Sequence, residues 1–210
     1  MSSNPGHAGQ LRLEEAPDLG IGDAARMETL HGGGDDGLAR ANPVGELLRA
    51  RVRRVRSRIG NEFLLMPSVT ALVFDEERRV LLVRPSRRDV WVAPGGAVDP
   101  DEAPQDTVVR EVWEETGLLV EPMQLRGVFG GAEYRAWYAN GDEVGYMMAV
   151  YECRATGGSL RSDGDEIAEA RYFSAGELSS ITLSRWARII VPELMANQGA
   201  WLPPVTWRPS

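Results

Sequence analysis

Between Gly96 and Leu118 the chain reads GAVDPDEAPQDTVVREVWEETGL. This stretch constrains the molecule more than any other. Pro94, Gly95 and Gly96 end a strand in a tight loop, where backbone can approach a neighbour closely. Pro104 suits a first helical position, and Gly117 suits the stop after Thr116. Val108, Val109 and Val112 supply an apolar face for the helix so bounded. On that helix Glu111, Glu114 and Glu115 stand at i, i+3 and i+4, so their carboxylates share one side. Three like charges repel, and a divalent cation resolves the repulsion. Oxygen-only donors suit Mg²⁺ or Mn²⁺ rather than zinc.

Composition narrows the chemistry further. All 23 basic residues among the 210 are arginine, and the two histidines are His7 and His31. A lysine Schiff base, a phosphate-binding P-loop lysine and a histidine-based triad in the main body are therefore excluded. The single cysteine, Cys153, can build neither an internal disulfide nor a multi-cysteine zinc site. Carboxylates remain abundant, with 31 Asp plus Glu. The net charge of −8 argues against nucleic acid or an anionic membrane as partner. No run approaches the ~18 apolar residues of a membrane span, and MSSNPGHAGQ lacks the features of a secretory leader. A cytoplasmic location is expected.

Four segments are expected along the chain. Residues 1–42 are Gly/Ala-rich and acidic, net −4, and read as a disordered tail with at most a short helix at 13–16. Residues 43–60 carry Leu47, Leu48, Val52, Val55 and Ile59 at helical spacing, with six arginines against Glu46. Two readings stand for that helix. It binds an anionic ligand or partner, a second copy of the chain included, or it docks on the acidic body as an ordinary amphipathic helix. Residues 61–200 read as one α/β unit, with strands at 67–75, 79–84, 90–93, 125–131, 144–155 and 169–174. A helix over 183–197 contains Pro192, which implies a kink or break. Residues 201–210 form an irregular end.

The 96–118 segment resembles the Nudix box, G-x5-E-x7-R-E-U-x-E-E-x-G-U with U apolar. It matches at Gly96, Glu102, Arg110, Glu111, Val112, Glu114, Glu115, Gly117 and Leu118. The strand and loop ending in PGG and the later DEIAEARYFSAGEL also resemble that family, so the likeness covers about 61–200. It implies an α/β/α sandwich around a mixed sheet. It implies a hydrolase that cuts the pyrophosphate linkage of a nucleotide or nucleoside diphosphate derivative with Mg²⁺ or Mn²⁺. By the resemblance Glu111, Glu114, Glu115 and the Gly96 carbonyl are metal ligands, Arg110 orients the glutamates and Glu102 braces the box. The general base is the Glu111 position or a glutamate on a later loop. Glu166 is favoured there by its spacing to Tyr172, with Glu133 and Glu143 competing.

Around that centre, Arg84 is a candidate phosphate contact. Trp91, Phe129, Tyr134 and Tyr138 are candidates for stacking on a base, with core packing the competing reading for all four. Tyr134 falls where dinucleoside-polyphosphate members carry a tyrosine. Cys153, alternating in an apolar strand, reads as a small buried hydrophobe. The substrate stays open among an NDP-sugar such as ADP-ribose, a dinucleoside polyphosphate and an NTP. The alternative is a Nudix-fold ligand-binding or regulatory protein that uses the N-terminal helix for a partner.

Overall fold

The structure is a computed structural model that describes residues 43–138, 140–162, 164, 166–206 and 208. The expected tail over 1–42, its short helix and both histidines lie outside the described residues. The elements in order are α1 (Pro43–Ile59), β1 (Leu64–Phe74), β2 (Val80–Pro85), α2 (Pro104–Thr116), β3 (Leu118–Phe129), β4 (Arg135–Trp137), β5 (Glu143–Gly158), β6 (Ile167–Phe173) and α3 (Arg185–Ala196).

The strands form one mixed sheet in the order β3-β5-β1-β2-β6, with β4 paired to β5. β1 runs parallel to β5 in the register Val69↔Ala149, and antiparallel to β2 through Phe74↔Val80. Asp75 closes the β1–β2 hairpin: its Oδ1 accepts the Arg79 N–H at 2.8 Å. β1 is buried on both faces because its alternate side chains feed two cores. Val69, Ala71 and Val73 meet Val108 and Val112 of α2 on one side. Met66 and Leu72 meet Trp186, Ile190 and Leu194 of α3 on the other. The result is the expected α/β/α sandwich around a mixed sheet.

α1 is docked on this body rather than standing free. Val52 joins the core on the α3 side. Arg56 is buried, and its Nη1 donates to the carbonyls of Glu62 at 2.6 Å and Gly60 at 3.2 Å. Its Nη2 donates to the Glu143 carbonyl at 3.1 Å, and Nε lies 3.3 Å from the Asp142 carboxylate. Arg51, Arg53, Arg54 and Arg58 stay exposed. Arg56 is thus a structural anchor, and Arg51, Arg53, Arg54 and Arg58 follow the solvated pattern.

Several boundaries differ from the sequence expectation. Residues 90–93 form no strand; Trp91 and Val92 make single bridges to Leu183 and Val83. β3 begins at Leu118, seven residues before the expected 125, and it tolerates Pro122 by shifting register there. β4 was not anticipated. α3 runs through Pro192 without ending, although Pro192 lacks the N–H that would bond the Arg188 carbonyl. The buried Arg126 fastens the end of α3: it donates to the carbonyls of Leu194 and Gly199, both at 3.0 Å, and to that of Asn197, and it pairs with Glu152. Among the described residues, no helix is long and apolar enough to cross a membrane.

Candidate active site

The site is built where the chain leaves Val92 and returns along β1. Pro94 O accepts the Ala71 N–H at 2.8 Å, Gly96 O accepts the Val69 N–H at 2.8 Å, and Val98 N–H donates to Pro67 O at 3.2 Å. The loop is therefore zipped to the edge of a central strand. Gly95 is obligatory there: its φ is +153°, and a Cβ would lie 2.2 Å from the Val69 carbonyl oxygen. Residues 99–102 then turn, with Glu102 N–H donating to Asp99 O at 3.1 Å. Pro100 and Asp101, the latter with a φ of +69°, fit positions two and three of a type II turn. Pro104 opens α2, and Gly117 closes it in the left-handed region with φ +70°.

α2 presents Thr107, Val108, Glu111, Val112, Glu115 and Thr116 as its buried side. Glu111 and Glu115 are thus buried carboxylates, 3% and 6% exposed, beside the valines that hold the helix to the sheet. Burying ionised carboxylates demands compensation. Glu115 accepts the Gly95 N–H at 3.1 Å. Glu111 accepts from Arg110 Nη1 at 2.6 Å, and the same nitrogen lies 3.5 Å from Glu114 Oε2. The Glu111 carboxyl fills the space beside Gly96 that a Cβ would occupy, 2.6 Å from the would-be carbon.

Arg110 is itself fixed from the opposite side. Glu102 takes its Nε and Nη2 in a bidentate pair at 2.9 and 2.8 Å. Thr107 Oγ1 donates to the same carboxylate at 2.8 Å. Burial pushes the Glu102 pKa up, but the hydrogen bonds from Arg110 and Thr107 outweigh it and hold the group below the usual carboxylate range. Burial works to lower the Arg110 pKa, and Glu102 and Glu111 together drive it well above the ordinary value.

Glu111 and Glu114 therefore converge on Arg110, while Glu115 turns to the Gly95 amide. Among the described residues, no three acidic, histidine or cysteine side chains gather around a common point as a ready cation cage. The donors still suit a hard cation in kind: three carboxylates on one turn, set against the Gly95–Gly96 backbone. The Gly96 carbonyl already accepts the Val69 N–H, which leaves its second lone pair for a ligand role.

The outlying candidates fall into place differently. Tyr134, read as a substrate contact, is buried beside Phe129 at a ring distance of 6.3 Å, so its ring belongs to the core. Burial and Glu133 push its hydroxyl up to about 12. Trp91 packs edge-on to Phe173 at 4.7 Å, and the Tyr138 and Tyr146 hydroxyls meet at 2.5 Å. All four aromatics are buried, so core packing is their role. Arg84 pairs across the sheet with Glu169 at 3.2 Å. Glu133 is bound to Arg185 at 2.9 Å and Glu143 to Arg135 at 2.9 Å. Glu166 sits on the loop before β6, where its carbonyl accepts the Ser86 N–H at 2.9 Å. Cys153 is buried, and burial pushes its thiol up to about 12. Sequence reasoning did not single out Asp99, which is 4% exposed and lies 3.9 Å from Arg110. Its place between Gly96 and Glu102 was the available signal.

This loop, helix and mixed sheet define a Nudix domain. The family model described as "NUDIX domain" matches residues 64–194, and the chain belongs to that family. A "MutT-like protein" of Streptomyces ambofaciens is 37% identical over 101 residues, which covers 48% of this chain and 59% of that protein. The "Uncharacterized Nudix hydrolase YvcI" of Bacillus subtilis is 29% identical over 133 residues, covering 62% of this chain and 80% of its own. The solved structure of a "UDP-X diphosphatase" shares the fold with TM-score 0.55 at 21% identity, over 82% of this chain and 89% of the other.

Proposed function

We propose that this chain is a divalent-metal-dependent hydrolase of the pyrophosphate linkage in a nucleotide or nucleoside diphosphate derivative. The observation that carries the reading is the fit of the Glu111 carboxyl into the gap left by Gly96, with Glu111 held there by Arg110. Family membership supports it. The residues that would hold Mg²⁺ or Mn²⁺ are Glu111, Glu114, Glu115 and the Gly96 carbonyl. Bound there, the cation would neutralise pyrophosphate charge and make a water more acidic.

The rest of the work belongs to the chain. Glu102 locks Arg110 by its two-point grip, and Arg110 sets the rotamers of Glu111 and Glu114. Arg110 acts through the glutamates, with no substrate contact of its own. A carboxylate takes the proton of the attacking water. By the family resemblance that step is assigned to Glu111 or to Glu166 on the later loop; Glu133 and Glu143 pair with Arg185 and Arg135. Arg84, at the end of β2, is assigned to the substrate's phosphates, for which it would leave Glu169. The site is taken to act in the cytoplasm on small-molecule nucleotides.

The test is a panel of nucleoside diphosphate sugars, dinucleoside polyphosphates and nucleoside triphosphates, with products identified by mass. Metal-dependent release of a nucleotide monophosphate from at least one class is expected, and it is abolished in Glu114→Gln. An inert parent across the panel refutes the proposal.

A further inference from the structure

The arginine-rich helix α1 precedes the residues that the family model matches, and no step above uses it. It nevertheless walls a cleft of about 430 Å³ with the box loop. Arg51, Val52 and Val55 come from α1, the floor is strand segment 64–67, and Asp99 and Asp101 come from the loop. The volume falls within the ~300–1,000 Å³ of small-molecule sites.

We infer that this cleft receives the nucleobase of the substrate, and that α1 is therefore a specificity element for the reaction. The inference rests on the hydrolase reading for its substrate class, and on three observations of its own.

The first is continuity. Asp99 and Asp101 lie inside the box, between Gly96 and Glu102, and Asp99 is 3.9 Å from the guanidinium that grips Glu111. A ligand seated in the cleft touches the same loop that faces the phosphates. The second is the pairing of surfaces. Valine, leucine, methionine and proline side chains line the cleft, the exposed Arg51 and Asp101 supply charges of both signs, and Asp99 is buried. A flat heterocycle has apolar faces and a polar edge, so it suits both parts. The exposed Asp101 carboxylate can accept a ring N–H group, and the exposed Arg51 guanidinium can lie against its face. A bare phosphate gains nothing from aliphatic walls and is repelled by two carboxylates. The third is rigidity. Arg56 anchors α1 through three carbonyls, and the loop wall is zipped to β1, so both sides of the cleft are held in place.

The experiment measures binding of AMP, GMP, CMP and UMP to the full chain, with ribose 5-phosphate as the base-free control. None of these has an anhydride to cut, so the measurement stands apart from turnover. At least one monophosphate should bind about tenfold tighter than the control, the worth of one modest set of apolar contacts. Val55→Trp, which fills the cleft, should erase that advantage, and should raise KM rather than lower kcat for any nucleotide the parent cleaves. Arg51→Ala changes an exposed residue without threatening the fold, and should cut the advantage about threefold. Equal binding of the monophosphates and ribose 5-phosphate overturns the inference, as does an advantage that survives both substitutions. Loss of turnover across the nucleotide panel with base-dependent binding intact would strike the hydrolase reading alone.

Discussion

A Cβ added to Gly96 would sit 2.6 Å from the carboxyl carbon of Glu111. The glycine and the glutamate are therefore one device: the missing side chain of the first is the seat of the second. Gly96→Ala should push that carboxylate out of place while leaving the sheet and both cores intact. A displacement on this scale costs about a hundredfold in turnover. Steady-state kinetics beside a thermal melt checks it, with activity lost and Tm nearly unchanged.

Glu102 should leave its mark in the pH dependence of stability. Its folded pKa lies below the ordinary 4.5, because Arg110 and Thr107 outweigh the effect of burial. The ionised group thus stabilises the fold above pH 4.5, and that contribution is lost as pH falls through the folded value. The Tm gap between the parent and Glu102→Gln should be constant above about pH 6 and narrow as pH falls below the ordinary 4.5. A gap that does not narrow on acidification contradicts the pairing.

Arg56 fixes α1 to the domain with three carbonyl bonds and a close carboxylate. Arg56→Ala leaves Asp142 buried without its cation, at a cost of about 3 kcal/mol. Urea denaturation reads that loss. Arg53→Ala, on the exposed side of the same helix, should fall within about 0.5 kcal/mol of the parent.

Cys153 should be chemically silent. Burial raises its thiol to about 12, so little thiolate exists at pH 8. A thiol reagent should label the native chain slowly and the guanidinium-unfolded chain at once. Fast labelling of the native state contradicts its placement between the sheet and α2.

These results show which parts of the molecule were readable in the sequence. The box was legible because its information is local: Pro104 and Gly117 bound the helix, and helical spacing alone puts Glu111 and Glu115 on one side. The strand over 67–75 was legible as a run of apolar β-formers, whereas its burial on both faces comes from the packing of α2 and α3. The pairing of Arg110 with Glu102, Glu111 and Glu114 was legible only as roles carried by the resemblance. Its geometry depends on the turn at Asp99–Glu102, which no periodicity reports. Arg56 and Arg126 were invisible for the opposite reason. The run around Arg56 reads as a solvated face and Arg126 is a lone arginine in a strand, so only tertiary contact reveals that each meets carbonyls in the interior. Residues 90–93 looked like a strand, yet that segment makes only isolated bridges before it enters the loop. β4 escaped notice because three residues carry no pattern.

The central claim is that the α2 carboxylates hold a divalent cation on which pyrophosphate cleavage depends. The most direct measurement is turnover of the cleaved nucleotide in a Mg²⁺ titration after chelation, with parent, Glu111→Gln and Glu114→Gln side by side. The account predicts no turnover in chelator, saturable recovery for the parent, and a loss of at least about a hundredfold in each variant. Parent activity that persists in chelator, or variants that match the parent at every Mg²⁺ concentration, would contradict it.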